Sequence, residues 1–348
     1  TRNIGTYNAT FSTGTSGGGG PLSSQQISSP TSNFIPDPNN GVTVMAGDVH
    51  WGMAKTYDFF PNTFGRNSYD NQGGTIFQYI NPPNLNSALG ENPNNAYAVS
   101  DGIIGGVSYM AYGLGDGNTM DYVASLDVLA HEFTHNVTAF TSQLIYKEEN
   151  GALNESFSDI LGYAIKNATT GSNTWTIGEE LYQNILNPPS PPIMRSLSNP
   201  HAKGNPDTYQ ASADWLEVIP PFDDNNDYGG VHINSGVQNH WFYLLSQGGS
   251  GVNDNGDSYS VSGIGINQAL EIAYRNLTTY LTPSSIFTDA YTGSLQSAAD
   301  LYGNSSSQYS AVQDAWTAVG VGIYCDGVTT LTASSGTFTD GSGNANYN

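Results

Sequence analysis

The chain has 348 residues and a formal net charge of −22, and 11% of its residues are charged, against about 25% in typical soluble domains. So acidic a surface repels nucleic acid and anionic lipid, and no uninterrupted apolar run approaches the roughly 18 residues of a membrane-spanning helix. We therefore expect neither nucleic acid nor a membrane as a partner, and a core that is divided between two lobes.

The first 124 residues contain short apolar–polar alternations separated by turn residues, a pattern that predicts β-strands. Residues 41–45 and 105–112 are examples of these alternations. The glycine-rich run at 16–21 lacks a strand–loop–helix frame, so we interpret it as a long hairpin turn or a mobile loop rather than a phosphate-binding loop. Residues 1–124 are therefore predicted to form a β-rich N-terminal lobe.

From position 125 onwards, apolar residues recur at helical spacing instead. This periodicity predicts helices over 267–278 and 284–302, among others. Residues 125–322 should therefore form a mainly α-helical C-terminal lobe, which gives an α+β fold with a cleft between two lobes.

A predicted helix at the start of the second lobe carries the motif His131-Glu132-Phe133-Thr134-His135. Residues four apart project from the same helix face, so His131 and His135 can hold one zinc ion between their imidazoles. Glu132 then lies beside the ion without binding it, where its carboxylate can accept a proton from a metal-activated water. The motif predicts a zinc site with its own general base.

Glu155, on the next predicted helix, is the best candidate for the third zinc ligand. Asp159 follows one helical turn later, where it could orient a ligand imidazole. The alternative is a pair of ordinary amphipathic helices, but two histidines and two acids facing one another would be costly to bury without a cation. The pattern therefore indicates a metallopeptidase.

The run LDVLAHEFTHNVTAFTSQLIYKEENGALNESFSDILG at 126–162 resembles the central region of the thermolysin-like family of neutral zinc metallopeptidases, of the thermolysin, bacillolysin and pseudolysin type. Further segments match family landmarks in the family's order, and the resemblance extends over roughly residues 40–322. It implies the two-lobed family fold with one catalytic zinc ion, bound by His131, His135 and Glu155, in the cleft. The further segments are 48–51, 56–60, 94–97, 194–196, 229–236, 280–283 and 299–303.

The resemblance also implies roles for side chains around the zinc ion. Asp159 would accept a hydrogen bond from His131, and Asn154 would orient His135. Tyr146 and His232 would donate hydrogen bonds to the oxyanion of the reaction intermediate.

Asp227 would orient His232 in the same family pattern. Asp223 and Asp224 are close in sequence, so either of them is an alternative for this role.

Substrate-binding residues follow from the same resemblance. Arg195 would bind a substrate backbone carbonyl, and Asn95 with the backbone of Ala96 would hold the peptide extended along the cleft edge. Ala98 replaces the large aromatic residue that is usual in the family, which predicts a wider cleft on the side before the scissile bond. The pocket after the scissile bond is predicted to be apolar and to accept bulky hydrophobic residues. Its expected lining is Val128 and Met194, with Met120 or Tyr122.

One departure from the family concerns calcium, which its members normally bind near the active-site helices. Asp127 and Glu179 fall at two calcium positions, but Lys166 stands at a third acidic position, and Thr174 and Thr176 replace two further ligands. We expect the Lys166 ammonium to take the place of calcium by pairing with Asp127 and Glu179. The alternative is that Lys166 points into solvent.

Two acidic loops, at 223–227 and 252–257, have the oxygen-rich composition of calcium loops but lack the bidentate glutamate of an EF-hand. We interpret both as solvated turns that could bind calcium only if neighbouring carbonyls converge. Calcium therefore stays a possible cofactor, with fewer sites than is usual for the family.

Residues 323–348 form a Thr-, Ser- and Gly-rich tail that resembles the start of a further β-module. Cys325 is the only cysteine, and an unpaired thiol is unexpected in a secreted protein, so its partner is predicted to lie in a missing segment. The alternative is a flexible tail with a free thiol.

The chain lacks an initiator methionine and a signal-peptide pattern, so residue 1 is interpreted as a processing point. The family resemblance implies a signal peptide and an inhibitory propeptide removed upstream, secretion to the cell exterior, and protein or peptide substrates. We expect a monomer.

The sequence thus predicts a zinc-dependent endopeptidase. A binding protein or adhesin that keeps the fold and zinc but has lost turnover is a second interpretation, which retention of Glu132, Tyr146, His232 and Arg195 disfavours. A zinc aminopeptidase is a third, but no motif for binding a free amine is visible.

Overall fold

The structure is a computed structural model, and it describes residues 2–11, 21–27, 41–80, 93–100, 108–211, 214–322, 338–340 and 343–345. The glycine-rich loop at 16–20, Cys325 and most of the predicted C-terminal tail lie outside these residues. Predictions on them therefore stay predictions. Two short strands lie in the described part of the tail, and they pair as β10 (Phe338–Asp340) and β11 (Gly343–Ala345).

A five-stranded mixed sheet forms the centre of the N-terminal half, with the spatial order β2-β1-β3-β5-β4. The first and third strands and the third and fifth strands are parallel, whereas the two outermost pairs are antiparallel. Among the residues that the structure describes, β4 is therefore an edge strand that pairs on one side only. The strands are β1 (Ile4–Phe11), β2 (Pro21–Gln26), β3 (Ile76–Ile80), β4 (Ala96–Val99) and β5 (Tyr109–Tyr112).

The prediction of a strand over 41–45 is wrong, because these residues begin the long helix α1 (Gly41–Phe64). Met45, Val49 and Met53 are fully buried at intervals of four residues. That spacing is helical, and the alternation before Met45 places no residue in the core. The prediction of a strand over 105–112 holds for the part that is described, since β5 spans its last four residues.

The C-terminal half is mainly helical, as predicted. Helices expected over 267–278 and 284–302 are present, and the first of them continues as a π-helical turn over Asn276–Tyr280. Two short antiparallel strand pairs lie in the connections between helices. Strand β6 (Thr176–Ile177) pairs with β7 (Arg195–Ser196), and β8 (Gly249–Val252) pairs with β9 (Ser258–Val261). The helices are α2 (Leu126–Ala139), α3 (Glu148–Thr170), α4 (Asp227–Asn234), α5 (Gly236–Gln247), α6 (Ile266–Arg275), α7 (Phe287–Tyr302) and α8 (Ser307–Ala318).

Helices α2 and α3 pack against each other along most of their length and are buried over most of their residues. Gly162 permits the close approach, because a Cβ atom there would lie 2.5 Å from the backbone oxygen of Asp127. Phe133 on α2 and Phe157 on α3 are both buried in the core. The contact holds the two helices that carry the motif residues at a fixed separation.

The α+β fold class with a β-rich first lobe and a helical second lobe is confirmed. The boundary predicted between residues 124 and 125 falls in the connection between β5 and α2, and it stays a proposal. Within the described part of the chain, no helix has both the length and the apolar character needed to cross a bilayer.

Candidate active site

Two neighbouring helices bring the three predicted zinc ligands together. The Nε2 atoms of His131 and His135, one turn apart on α2, lie 3.0 Å from each other. Across the interface, the Glu155 carboxylate on α3 lies with Oε2 3.3 Å from His131 Nε2 and Oε1 3.4 Å from His135 Nε2. The three side chains form one group whose ligand atoms could hold a metal ion.

The other ring nitrogen of each histidine is held by a residue of α3. Nδ1 of His131 donates to Oδ1 of Asp159 at 2.9 Å. Nδ1 of His135 donates to Oδ1 of Asn154 at 2.8 Å. The amide nitrogen of Asn154 in turn donates to the carbonyl oxygen of Leu144. When both rings are neutral, as metal binding requires, these acceptors place the protons on Nδ1, and both Nε2 lone pairs point towards the Glu155 carboxylate.

This arrangement fits a zinc ion. Two imidazole lone pairs and a fully buried carboxylate would repel one another unless a cation lay between them. Oε2 of Glu155 is buried and has no hydrogen-bond partner among the described residues. Ligand atoms bound to one tetrahedral zinc ion at 2.0–2.1 Å lie about 3.3–3.4 Å apart, which is the separation of Glu155 from each histidine.

The electrostatics of the site also call for a positive charge. Burial lowers the pKa of His131, but the Glu155 and Asp159 carboxylates raise it more strongly, to about 10. Burial raises the pKa of Glu155, and the three neighbouring histidines lower it further than burial raises it. A carboxylate is therefore kept ionised where a cation would be bound.

Glu132 follows His131 on α2 and lines the same cleft without joining the ligand group. Its side chain is buried, and burial raises the pKa of the carboxyl group above its ordinary value. A base with a raised pKa accepts a proton more readily at neutral pH, as general-base chemistry requires.

Tyr146 and His232 come from different parts of the chain and meet at the Glu155 carboxylate. The Tyr146 hydroxyl lies 3.1 Å from Nε2 of His232 and also donates a short hydrogen bond to Glu155. Nδ1 of His232 donates to Oδ1 of Asp227 at 2.5 Å, and the His232 amide donates to the other oxygen of Asp227 at 2.9 Å. Asp227 therefore fixes the ring so that Nε2 faces the metal ligands.

The loop at 223–227 is a 3-10 turn closed by its own side chains. The side chain of Asp223 accepts a hydrogen bond from the amide of Asn225, and Oδ1 of Asn226 accepts one from the amide of Asp223. Asp224 interacts with Tyr228 and not with His232. Of the three acidic residues, Asp227 is the one that contacts His232.

A cleft of about 750 Å³ opens above the ligand group. One wall is the edge strand β4 with Asn95 before it, and the floor is formed by α2 and α3. Asn94 anchors the start of β4 by donating to Asp116 and Thr119 at 2.9 Å. Residues of β4 and the metal-ligand group therefore line the same cleft.

Arg195, Val128 and Met194 lie outside the residues that line this cleft. The Arg195 guanidinium donates through Nε and Nη2 to the two oxygens of Asp159, at 2.6 and 2.7 Å, which leaves Nη1 for a further acceptor. Val128 is buried in α2, and Met194 packs against Gly178. Their predicted contacts with substrate stay predictions.

Lys166 lies at the other end of the interface between α2 and α3 and is almost fully buried. Its Nζ atom lies 3.0 Å from Asp127, 3.1 Å from Glu179 and 3.3 Å from Glu180. Glu180 was not among the predicted partners. Lys166 therefore does not point into solvent and pairs with Asp127 and Glu179 as predicted, and its replacement of a calcium ion stays a prediction.

Several cleft residues were missed by the sequence analysis. Tyr228 has a left-handed backbone and places its ring 5.7 Å from that of Tyr146, measured between centroids. Its position directly before two glycines, in a segment already singled out for His232, was the available signal. Gln143, Ser100 and Tyr97 also line the cleft, and no sequence pattern distinguishes them.

The site has two histidines on one helix, a glutamate on the next, and a second glutamate beside them in a cleft. This arrangement defines the class of protein, which is a metallopeptidase. The chain belongs to the thermolysin metallopeptidase family. The family's catalytic-domain model matches residues 1–139, and its alpha-helical-domain model matches residues 142–321. The family implies a catalytic zinc ion, which the group of His131, His135 and Glu155 could hold.

Individual relatives agree with this assignment. The chain is 39% identical to bacillolysin from Bacillus amyloliquefaciens over 296 residues, which cover 85% of this chain and 47% of that protein. It is also 39% identical to neutral protease NprE from Bacillus pumilus, over 85% of this chain and 82% of the relative. Thermolysin from Alicyclobacillus acidocaldarius subsp. acidocaldarius is 37% identical over 79% of this chain and 45% of its own length. The chain thus spans about half the length of the bacillolysin and thermolysin relatives.

Among solved structures, the precursor of protealysin, a metalloproteinase from Serratia proteamaculans, resembles this fold with a TM-score of 0.66. The two chains are 25% identical, and the match covers 92% of this chain and 88% of the other.

Proposed function

We propose that this protein is a secreted zinc-dependent endopeptidase. The observation that carries the proposal is the convergence of His131, His135 and Glu155 on one point, with Glu132 beside them in the cleft. A zinc ion bound there supplies Lewis acidity, which polarises a carbonyl group and makes water more acidic.

Glu132 is the proton carrier in this proposal. Its carboxylate takes a proton from the attacking water as the water oxygen adds to the peptide carbonyl carbon. The same group then gives the proton to the peptide nitrogen as the carbon–nitrogen bond breaks, so that a carboxylate and an amine leave. Its buried position keeps this proton from exchanging freely with solvent.

Tyr146 and His232 stabilise the negative charge that develops on the former carbonyl oxygen. Both groups face the metal ligands, and Asp227 accepts the Nδ1 proton of His232, so Nε2 donates when the ring is an imidazolium. Burial lowers the pKa of His232, but the Glu155 and Asp227 carboxylates raise it more strongly, which favours that form. Donors that are already oriented cost little reorganisation during the reaction, which is why each can contribute about 2.7–4 kcal/mol to lowering the barrier.

The substrate is held as an added strand. The open edge of β4 can pair with an extended peptide backbone, while Asn95 contacts the peptide at the end of the strand. Arg195 is held by Asp159 with Nη1 left to bind a substrate carbonyl. Val128 and Met194 lie outside the residues that line the described cleft, and we propose that they line an adjoining pocket for the residue after the scissile bond, which would favour bulky hydrophobic side chains.

An inhibitory propeptide before maturation is part of the same proposal. The resemblance to a protease structure described as a precursor supports it. The likeness to bacillolysins and the low content of charged residues support secretion.

The proposal is tested with a quenched fluorescent peptide that is blocked at both ends and carries one bulky hydrophobic residue. The zinc-loaded protein should cleave it before that residue and should lose activity with a chelator. Glu132→Gln should still bind one zinc ion per chain, but its kcat should be about 10³-fold lower. Glu217→Gln, which changes an exposed glutamate, is the matched control and should retain full activity.

Two outcomes would contradict the proposal. Equal, near-zero turnover by the native protein and Glu132→Gln would favour a binding protein that has lost catalysis. Cleavage only of peptides with a free amino terminus would favour an aminopeptidase.

A further inference from the structure

A second histidine–carboxylate cluster lies outside the candidate active site. His201 is in the 3-10 turn Pro200–Lys203, and Asp207 and Asp214 are in the segment that follows it. Asp254 comes from the turn between β8 and β9, more than 40 residues further along the chain. Three separate loops therefore meet at one imidazole.

The His201 ring is oriented by one carboxylate and faces two others. Nδ1 of His201 donates to Oδ2 of Asp214 at 2.7 Å. Nε2 lies 3.3 Å from Oδ2 of Asp207 and 3.4 Å from Oδ2 of Asp254. With its proton on Nδ1, the ring directs the Nε2 lone pair between two negatively charged oxygens, and a histidine that binds metal is commonly oriented by a carboxylate in this way.

The spacing of these atoms matches a metal site. The two Nε2–oxygen distances are longer than the 2.7 Å hydrogen bond that the same ring makes through Nδ1. One ligand atom from each of His201, Asp207 and Asp254 lies within 4.8 Å of the other two. The two Nε2–oxygen distances agree with the roughly 3.3–3.4 Å expected between two ligands of one tetrahedral zinc ion.

The two carboxylates that face Nε2 are preset by their surroundings. Oδ1 of Asp207 accepts a hydrogen bond from the buried Thr208 hydroxyl at 2.7 Å, which leaves Oδ2 for the shared point. The backbone amide of Asp254 lies 3.3 Å from the same hydroxyl. None of the chain's lysines and arginines, all of which lie in the described ranges, forms an ion pair with Asp207 or Asp254.

We propose that His201, Asp207 and Asp254 bind a second divalent transition-metal ion, of which zinc is the representative. One imidazole and two carboxylates suit such an ion better than they suit calcium, which prefers oxygen ligands alone. The side chains of the three residues are 25–35% exposed, so water can complete the coordination. The ion links the β8–β9 hairpin to the loops around His201, and its role is to stabilise the fold rather than to take part in catalysis.

A proton on Nε2 is the competing occupant, because an imidazolium would also lie stably between two carboxylates. The two occupants differ in what they bind and release. A metal site takes up zinc and releases protons at about pH 8, whereas a histidine held as an imidazolium takes up none.

The test starts from protein that carries one zinc ion at the candidate active site and titrates it with zinc chloride at about pH 8, by calorimetry and elemental analysis. We expect one additional zinc ion per chain and a zinc-dependent rise in Tm. His201→Gln and Asp254→Asn should each lose the additional ion and the rise in Tm, and their peptidase activity should not change. Asp257→Asn, in the same hairpin but outside the cluster, should behave as the native protein.

His131→Ala separates this proposal from the proposed function, since it should lose the active-site zinc and keep the second. Uptake of only one zinc ion by the native chain, with nitrogen NMR showing both ring nitrogens of His201 protonated, would overturn the metal proposal. The metal proposal would also be overturned if the Asp254→Asn and His201→Gln variants each retained two zinc ions per chain.

Discussion

Asp159 joins His131 to Arg195 through a single carboxylate. Its Oδ1 atom accepts from Nδ1 of His131 at 2.9 Å and from Nη2 of Arg195 at 2.7 Å. Its Oδ2 atom accepts from Nε of Arg195 and from the amide of Asn239. Burial raises the pKa of this carboxyl group, but Arg195 and His131 together hold it well below its ordinary value. One buried anion thus orients both a metal ligand and a proposed substrate-binding residue.

Asp159→Asn should weaken zinc binding by about 10–100-fold, because a neutral amide is a weaker acceptor than a carboxylate and no longer raises the basicity of the His131 ring. Competition with a chromophoric chelator measures this directly. The variant should also raise KM, since Arg195 loses its anchor. Asp314→Asn, on the exposed face of α8, is the control. Unchanged zinc affinity in Asp159→Asn would show that packing alone orients His131.

Tyr146→Phe should lower kcat by about 10²-fold or more with little change in KM, because its hydroxyl is proposed to act only as charge develops. The measurement is steady-state hydrolysis of a blocked peptide, together with zinc analysis to show that the metal is retained. Tyr302→Phe removes a hydroxyl that binds Glu271 far from the cleft and should leave kcat unchanged. A rise in KM at constant kcat would assign Tyr146 to substrate binding instead.

The sequence was sufficient for elements with strong local patterns. The spacing of His131 and His135 and the apolar period around Phe133 and Phe157 predicted both active-site helices. The strand predicted over 41–45 failed because five residues are too few to distinguish alternation from the first turn of a helix.

Contacts between distant segments were harder to predict. His201 meets Asp254 only because the β8–β9 hairpin folds back onto the loop after Arg195, and no local pattern encodes that approach. Glu180 was missed as a partner of Lys166 for the same reason, since the turn of Glu179–Tyr182 brings two successive glutamates to one ammonium. Side-chain convergence depends on tertiary packing rather than on sequence spacing.

Lys166→Met should destabilise the fold by about 3–5 kcal/mol at neutral pH. Removal of the ammonium leaves the fully buried Asp127 without its cation, and an unpaired buried charge is more costly than the pair. Denaturant unfolding in a Glu132→Gln background, which prevents self-digestion, provides the measurement. Lys55→Met, at an exposed site, should cost far less. A decrease in unfolding free energy below 1 kcal/mol would contradict this, because it would mean that solvent screens the acidic residues from one another without the ammonium group.

The stabilisation by Lys166 should depend on pH in a defined window. Burial lowers the pKa of Lys166, but Asp127 and Glu180 raise it above the ordinary 10.5, so this contribution is complete below 10.5 and lost as pH rises through the folded-state pKa. Burial raises the pKa of Glu179, but hydrogen bonding by Thr176 and the charge of Lys166 lower it below 4.5. That contribution is present above 4.5 and lost as pH falls through the folded-state value.

Burial and the Asp127 carboxylate raise the pKa of Glu180, the third partner of Lys166, above 4.5. The difference in unfolding free energy between the native chain and Lys166→Met should therefore be largest between the pH at which Glu180 is ionised and about pH 10, and it should shrink on both sides. Unfolding curves across this range, again in the Glu132→Gln background, measure it. A difference that grows towards acid pH would contradict the ion-pair assignment.

Lys166→Glu should convert the ammonium site into a calcium site. The substitution would place a fourth carboxylate beside Asp127, Glu179 and Glu180, and such a group of oxygen ligands repels itself unless a hard cation binds. The variant should be less stable than the native chain without calcium, and millimolar calcium should raise its Tm by several degrees. The native Tm should respond much less, because its own ammonium already neutralises the acids. Lys55→Glu controls for added surface charge, and an equal calcium response in that variant and in Lys166→Glu would show that the effect is not local.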